Sequence, residues 1–518
     1  MFELGYLGHA GWLIKNKELT ILCDPWFNPS GAYFGEWKQF PDNSHLLTEV
    51  LLTDVDVIYI SHIHDDHCDP WFLKQVDKKI CVLIPRFKDK TLLKTLSQLG
   101  FQDIQELDRS ETLKLNDVKI KIIEDEGYLD ADSCLFLDDG NDKVLNLNDC
   151  HLDFSTLKNI VGEVDLLLLQ SSSAIWWPCA YDYDDEKKNR FGKIKRQNIL
   201  NRAIKYSKML NAKNVIPNAG PPILMNDRSR IWNKNRRSDS NPFILMDDAH
   251  KHLIKNNINS HLPIPGSILF LQNASVTALI DEEELNNIYQ KYENYLQKYE
   301  KQIGTIECDI PPKEEIDNII IKFKTQLERI KKISKFYTKK INFAILFDFK
   351  YLGKWILDFE KDACFVKFID QQYKYYFILD PEKIALLFQD KSIDFERYFL
   401  GCNFTCGRTP DEYNEFVFTL LKHFDTKRFL ISESLYASRV KALDETFTLQ
   451  HKGRQMIIQK YCPHMFADLE EVGFIDEQDN FVCPLHGWKF DLNNNGLCNN
   501  NKTFCLKIKI NEENNDKK

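Results

Sequence analysis

Four side chains able to bind a metal fall within six residues of the stretch DVDVIYISHIHDDHCD: His62, His64, Asp66 and His67. They follow an apolar run, Val55 to Ile60, that reads as a strand. On an extended chain side chains alternate, so His62 and His64 point the same way, while a turn at Asp65 carries Asp66 and His67 to a neighbouring position. Two ions can then be held side by side. Imidazole with carboxylate suits zinc, iron or manganese, a mixture that a merely polar surface loop does not need at a strand end.

A second set lies near the C-terminus. YCPHMFADL and, further on, VCPLHGWKF give Cys462-x-His464 and Cys483-x-x-His486, each loop offering one thiolate and one imidazole. In a 2Fe-2S cluster such a set lets two cysteines hold one iron and two histidines the other, and neutral nitrogen in place of thiolate charge raises the reduction potential. Pro463, Pro484 and Gly487 stiffen and bend the loops around it. A Cys2His2 zinc site is the alternative, but it usually pairs cysteine with cysteine and histidine with histidine instead of mixing them.

These ligands need strands to end on. From Met1 to about Val276 short apolar runs (Leu19 to Cys23, Val55 to Ile60, Ile80 to Ile84, Val118 to Ile123, Val144 to Leu147) alternate with amphipathic segments, which predicts a layered α/β or α+β unit with β-rich sheets. Between Asp281 and Ile333 the text becomes charged and helical, broken by Pro311 and Pro312. Residues Phe343 to Phe424 mix a strand (KYYFILD) with a helix (EYNEFVFTLLKHF) and carry no evident catalytic motif, while the last stretch reads as short strands with Asn/Gly turns. The expectation is a multidomain α/β plus all-β chain: a metal-binding unit at 1–280, a helical and α+β middle unit at 281–425, and a β-module at 426–518.

A chain of 518 residues is too long for one core. Its formal net charge of -9 gives no footprint for nucleic acid, and no apolar stretch approaches a membrane span. The start lacks the basic head and apolar run of a signal peptide, which predicts a cytoplasmic protein. Fourteen cysteines in such a chain argue for reduced thiols or metal ligands over disulfides, and Cys23, Cys81 and Cys364, alone in apolar runs, read as structural thiols.

The H-x-H-x-D-H pattern, with LGHAGWLI, ILCDPWF and KVLNLNDC around it, resembles the metallo-β-lactamase superfamily. That resemblance implies an αββα sandwich and makes Asp149, at the end of the run Val144 to Leu147, a ligand bridging two metal positions. His9 follows a first strand and either approaches the site or supports it from behind; His151 points toward Asp149 or away from it. The superfamily usually supplies another histidine before the Asp149 position, and here Glu124, Asp125 and Glu126 occupy that stretch, which favours an oxygen-rich, iron-friendly site. The C-P-H and C-P-L-H-G-W elements, with Trp488, Phe490 and Asp491, look like the Rieske domains of oxygenases and related ferredoxins.

One family that joins both modules is the CMP-N-acetylneuraminate hydroxylases. ILCDPWFNPSGAYFGEW, DVIYISHIHDDH, KVLNLNDC and VDLLLL fall in the order found there; the likeness weakens in the middle, at DFERYFLGCNFTCGRTPDEYNEF, and the vertebrate members have the Rieske module in front. The resemblance implies a monooxygenase: electrons from a Rieske 2Fe-2S cluster reach one or two non-haem irons (zinc as the alternative), dioxygen is activated, and a small substrate such as a nucleotide-linked amino sugar is hydroxylated. The expected partners are substrate, dioxygen and an electron donor, either a ferredoxin, a flavin reductase or a cytochrome b5-like protein. Two other classes stand beside it: a phosphodiesterase or lactonase with the cluster as redox sensor or staple, and an electron-transfer or scaffolding subunit. For substrate contacts, Trp176, Trp177 and Tyr181 offer stacking faces and Arg190, Lys193, Lys195 and Arg196 offer phosphate partners; an aromatic core patch and a solvated helix face are the plainer readings.

Overall fold

The computed structural model describes residues 1–127, 131–174, 176–303, 311–359, 365–389, 395–464, 466–483, 487–500, 502 and 504–511. The expected strands form at Leu19–Cys23, Val57–Tyr59, Cys81–Pro85, Val118–Glu126 and Lys143–Asn146. They belong to two facing sheets. One has eight strands, in the order Ser275–Leu279, Ile268–Gln272, Phe2–Gly8, Gly11–Asn16, Leu19–Cys23, Val57–Tyr59, Cys81–Pro85, Ile104–Leu107. The other has six: Asn214–Asn218, Leu166–Gln170, Lys143–Asn146, Ala131–Asp138, Val118–Glu126, Leu113–Leu115.

Alternation decides what each sheet buries. Leu4, Tyr6, Trp12, Ile14, Ile21, Val57 and Tyr59 of the first meet Ile120, Ile122, Leu135, Leu137, Val144, Leu166 and Leu168 of the second in one core. The opposite face of the first sheet (Leu22, Ile58, Ile60, Val82, Ile84) lies under the helix Thr91–Gln98. The opposite face of the second (Leu145, Leu147, Leu167, Leu169, Val215) lies under the helices Phe154–Val161 and Asp185–Met209. This is the αββα sandwich. Ile288, Tyr289, Tyr292, Leu296 and Tyr299, beyond the last strand of the first sheet, also pack into its central core.

From Ile316 on, a second core forms, which also takes in Ala180 and Tyr181. A five-stranded sheet, in the order Phe365–Lys367, Lys354–Asp358, Ala344–Asp348, Tyr375–Leu379, Phe404–Arg408, is covered by the helices Ile319–Ile333, Pro381–Gln389, Phe395–Leu400, Glu415–Lys422 and Thr426–Val440. It is joined to the sandwich by backbone: Cys406 N donates to Ala180 O at 2.9 Å and Asp182 N to Cys406 O at 2.8 Å. The C-terminal module has a three-stranded sheet (Thr446–His451, Arg454–Gln459, Ile508–Asn511) and a four-stranded one (Phe474–Ile475, Asn480–Cys483, Trp488–Asp491, Leu497–Cys498). No helix among the described residues is long and apolar enough to cross a membrane. Cys23 is a buried thiol and Cys81 a half-buried one, while Cys364 lies outside the described residues.

Candidate metal centre

Three strand ends and one turn build the N-terminal site. His62 to His67 follow Val57–Tyr59, with the turn closed by His67 N to His64 O at 3.0 Å. Asp24 follows Leu19–Cys23 and Asp149 follows Lys143–Asn146. His9, Asp24 and Asn148 all have left-handed backbones (φ 50°, 40° and 49°), a conformation that non-glycine residues hold only when their surroundings enforce it.

The site atoms stand at ligand spacing. His62 Nε2 and His64 Nδ1 are 2.8 Å apart. His9 Nε2 lies 2.9 Å from Asp66 Oδ2, yet among the described residues neither nitrogen of His9 has a hydrogen-bond partner. His67 Nε2 lies 3.6 Å from Asp149 Oδ2 and 3.8 Å from Asp66 Oδ2, and among the described residues neither it nor the buried Asp149 Oδ1 has a hydrogen-bond partner. Two nitrogens or oxygens sharing an ion at about 2.1 Å are separated by such distances. His9, Asp66 and His67 form one candidate ligand group and His62, His67 and Asp149 a second, each with its atoms within 4.8 Å of one another. Buried polar atoms that face each other without bonding are costly in an empty protein, so the donor set fits metal ions. His9 thus joins the site, an arrangement the sequence left open.

For three of the four histidines at the site, the ring nitrogen turned away from it has a partner. His67 Nδ1 is 2.8 Å from Asp24 Oδ2. His62 Nδ1 is 2.9 Å from Ser61 Oγ and 3.2 Å from Asp132 Oδ1. His64 Nε2 is 3.2 Å from Glu396 Oε1, in the middle domain. Such partners fix tautomer and ring orientation. The electrostatics are those of a charged cluster. Burial disfavours the His67 cation, but Asp66 and Asp149 outweigh it and hold its pKa well above the usual value. Burial likewise works against the Asp149 carboxylate, but His67 overrides it and holds its pKa down to about 2.

Asp24, Asp132 and Glu396 were not singled out from sequence. Of the carboxylates that were, Glu124 is taken up by Arg109 at 2.9 Å, Glu126 accepts the Lys88 N–H, and Asp125 faces Arg439 at 3.4 Å. The carboxylate from that hairpin that reaches the site is Asp132, opposite Asp125 in the antiparallel register. His151 Nε2 is 3.1 Å from Gln170 Oε1, which also accepts from Arg202 Nη2 at 3.3 Å. Trp176 packs on Phe399 and Phe418, and Tyr181 stacks on Tyr183, so these aromatics serve the seam with the middle domain. In the basic run, Arg196 donates to Arg236 O and Asn241 O, both at 3.1 Å, and Lys195 Nζ donates to Trp177 O at 2.8 Å.

In the C-terminal module Cys462 and Cys483 are each 1% exposed, and the His464 ring stacks on Trp488 at 4.0 Å and 6°. His486 lies outside the described residues. The module docks on the sandwich. Lys205 Nζ, on the helix Asp185–Met209, donates to Val472 O at 2.7 Å. Leu152, Phe154 and Tyr206 share one core with Cys462, Cys483 and Trp488. Gly487 sits so close to that helix that a Cβ there would lie 2.6 Å from Asn198 Nδ2. Two buried thiols and a stacked, buried imidazole on adjoining loops fit the expected cluster.

Comparison with known proteins matches three stretches of the chain. Residues 3–154 match a beta-lactamase superfamily domain, 319–438 an Rv3818-like, SCP2-like domain, and 431–507 a Rieske [2Fe-2S] domain. The Rieske match implies the 2Fe-2S cluster. A Rieske 2Fe-2S iron-sulfur protein of Mycolicibacterium smegmatis is 31% identical over 95% of this chain and 96% of its own length, and one of Mycobacterium tuberculosis is 30% identical over the same shares. The cytidine monophosphate-N-acetylneuraminic acid hydroxylase of Danio rerio is 24% identical over 55% of this chain and 50% of its own length. With a beta-lactamase superfamily domain ahead of its Rieske domain and likeness to the mycobacterial proteins running nearly end to end, the chain belongs to their family of Rieske 2Fe-2S iron-sulfur proteins.

Proposed function

We propose that the chain is a Rieske-coupled non-haem iron oxygenase, in which electrons enter at Cys462, His464, Cys483 and His486 and are consumed at His62, His64, Asp66, His67 and Asp149. The observation that carries this reading is the shared core. The segment leaving Asp149, through Cys150, Leu152 and Phe154, is buried together with Cys462, Cys483 and Trp488. Gly487 leaves no room for a Cβ against Asn198, and Arg202, one turn along the same helix, donates to Gln170 Oε1, which also meets His151. The Rieske module thus packs against the segment that leaves Asp149, although some three hundred residues of chain separate the two.

When bound, a Rieske cluster supplies single electrons and a non-haem iron supplies the reductive activation of dioxygen, which zinc cannot, having no accessible redox states. The residues' own tasks follow from their contacts. Asp24 and Asp132 orient the imidazoles of His67 and His62, and Tyr33 OH donates to Asp66 Oδ1. The hydroxylase names among the relatives support a nucleotide-linked amino sugar, such as CMP-N-acetylneuraminate, as the substrate class. The electron donor would be a ferredoxin, a flavin reductase or a cytochrome b5-like protein.

Metal analysis of anaerobically purified full-length protein tests the reading. Iron in excess of the cluster's own, with turnover that needs both reductant and dioxygen, is the expected result. Zinc at the N-terminal site with substrate cleavage in the absence of reductant and dioxygen would favour the hydrolase instead.

A further inference from the structure

His64 is the one histidine of the metal loop whose rear partner comes from another domain. Its Nδ1 faces His62 Nε2 at 2.8 Å, and its Nε2 faces Glu396 Oε1 at 3.2 Å. Glu396 sits on the helix Phe395–Leu400, inside the SCP2-like match and far outside the beta-lactamase match. Its carboxylate is 7% exposed, and Lys422 Nζ, 5% exposed, compensates the charge at 2.6 Å. A buried carboxylate with a buried cation is expensive to assemble at a domain seam unless the pair is held for a purpose. The next residue on the helix grips the same loop: Arg397 Nη2 and Nε lie 3.0 and 3.1 Å from Asp65 Oδ2. Two consecutive middle-domain residues thus hold two consecutive residues of the HIHDDH segment.

We infer that Glu396 is a positioning residue for the N-terminal metal site, holding the proton of His64 on Nε2 so that Nδ1 is offered to the ion. It does for His64, from outside the sandwich, what Asp24 does for His67 and Asp132 for His62 from within. The metal site is then a two-domain construction. The middle domain, which carries no catalytic motif of its own, completes the metal site by orienting one ligand. This inference rests on the reading of the HIHDDH loop as a metal site.

The test uses full-length protein stripped of N-terminal metal, titrated with Fe(II) against a chelator, with the Rieske absorbance as internal standard. Glu396→Gln keeps an acceptor without the charge and should lower affinity about tenfold; Glu396→Ala should lower it about 10–100-fold. Lys383→Met removes a different contact across the seam, Lys383 Nζ to Glu36 Oε1 at 3.2 Å, and should change affinity by no more than about twofold. Nitrogen-15 NMR of protein reloaded with diamagnetic Zn(II) should report the His64 Nε2 proton hydrogen-bonded in the unsubstituted chain and that hydrogen bond lost in Glu396→Ala. Unchanged affinity in both Glu396 variants, or an equal loss in Lys383→Met, overturns the inference while leaving the metal site standing. Failure of the unsubstituted protein to take up metal overturns the metal site itself and the inference with it.

Discussion

Asp24 Oδ2 lies 2.8 Å from His67 Nδ1, with both side chains fully sealed from solvent. The same carboxylate accepts Ser61 N at 2.8 Å and Ser61 Oγ at 2.6 Å, so one buried group fixes both the strand end and the orientation of a ligand. Asp24→Asn keeps an acceptor for Ser61 but can set an amide N–H against His67, favouring the wrong tautomer. The expected outcome is metal affinity lowered about 10–100-fold with the Rieske spectrum unchanged, checked by chelator competition.

The charged cluster gives opposite pH trends with and without metal. The pKa of His67 is raised, so its contribution to the metal-free fold is full below its unfolded value and is lost as pH rises through the folded one. The pKa of Asp149 is lowered to about 2, so its contribution is present above the unfolded carboxylate value and is lost as pH falls toward 2. Metal binding must displace the His67 proton, so apparent affinity should rise with pH, by up to about tenfold per unit while that proton is held. Thermal melts should show stripped protein losing stability above neutral pH, where metal-loaded protein gains it.

Gly487 has a φ of 69°, and a Cβ there would meet Asn198 Nδ2 at 2.6 Å. Gly487→Ala should therefore cost about 1 kcal/mol from backbone strain and force the Asn198 side chain or the backbone at residue 487 to shift. The cluster spectrum should persist while electron delivery to the N-terminal site slows. Asn198→Gly in the same background frees the space and should restore part of the rate, measured by stopped-flow reoxidation of the reduced cluster.

What was legible in the sequence was local. A strand followed by HIHDDH puts ligands at a sheet edge whatever the rest of the chain does, and the mixed Cys/His loops announce themselves by spacing alone. The strand Leu19–Cys23 was found to the residue because its apolar run is bounded by polar groups. Asp132 and Glu396 were not legible, since lone acidic residues are ordinary in sequence and only the hairpin register or the docking of a separate domain brings them to a ring nitrogen. His9 stayed ambiguous for the same reason: its approach to Asp66 depends on a left-handed backbone that no pattern encodes. The aromatic run at Trp176 reads equally as a stacking face or a core patch, because a seam between domains uses the same residues as a ligand pocket.

The two centres should also be separable. His64→Ala should remove N-terminal metal and abolish turnover while leaving the cluster's electron paramagnetic resonance signal; His486→Ala should abolish that signal and spare the N-terminal metal. Loss of one and the same signal in both variants would contradict the assignment of two centres.

The most direct measurement is rapid mixing of anaerobically reduced, metal-replete protein with dioxygen and substrate, following the cluster's reoxidation. If electrons pass from the Rieske ligands to the site at His62, His64, His67 and Asp149, reoxidation is fast in the unsubstituted chain, and it is slowed by at least about tenfold in Asp149→Ala, whose cluster is intact. Equal rates in the two proteins would mean that the cluster discharges elsewhere, and the oxygenase account would be wrong.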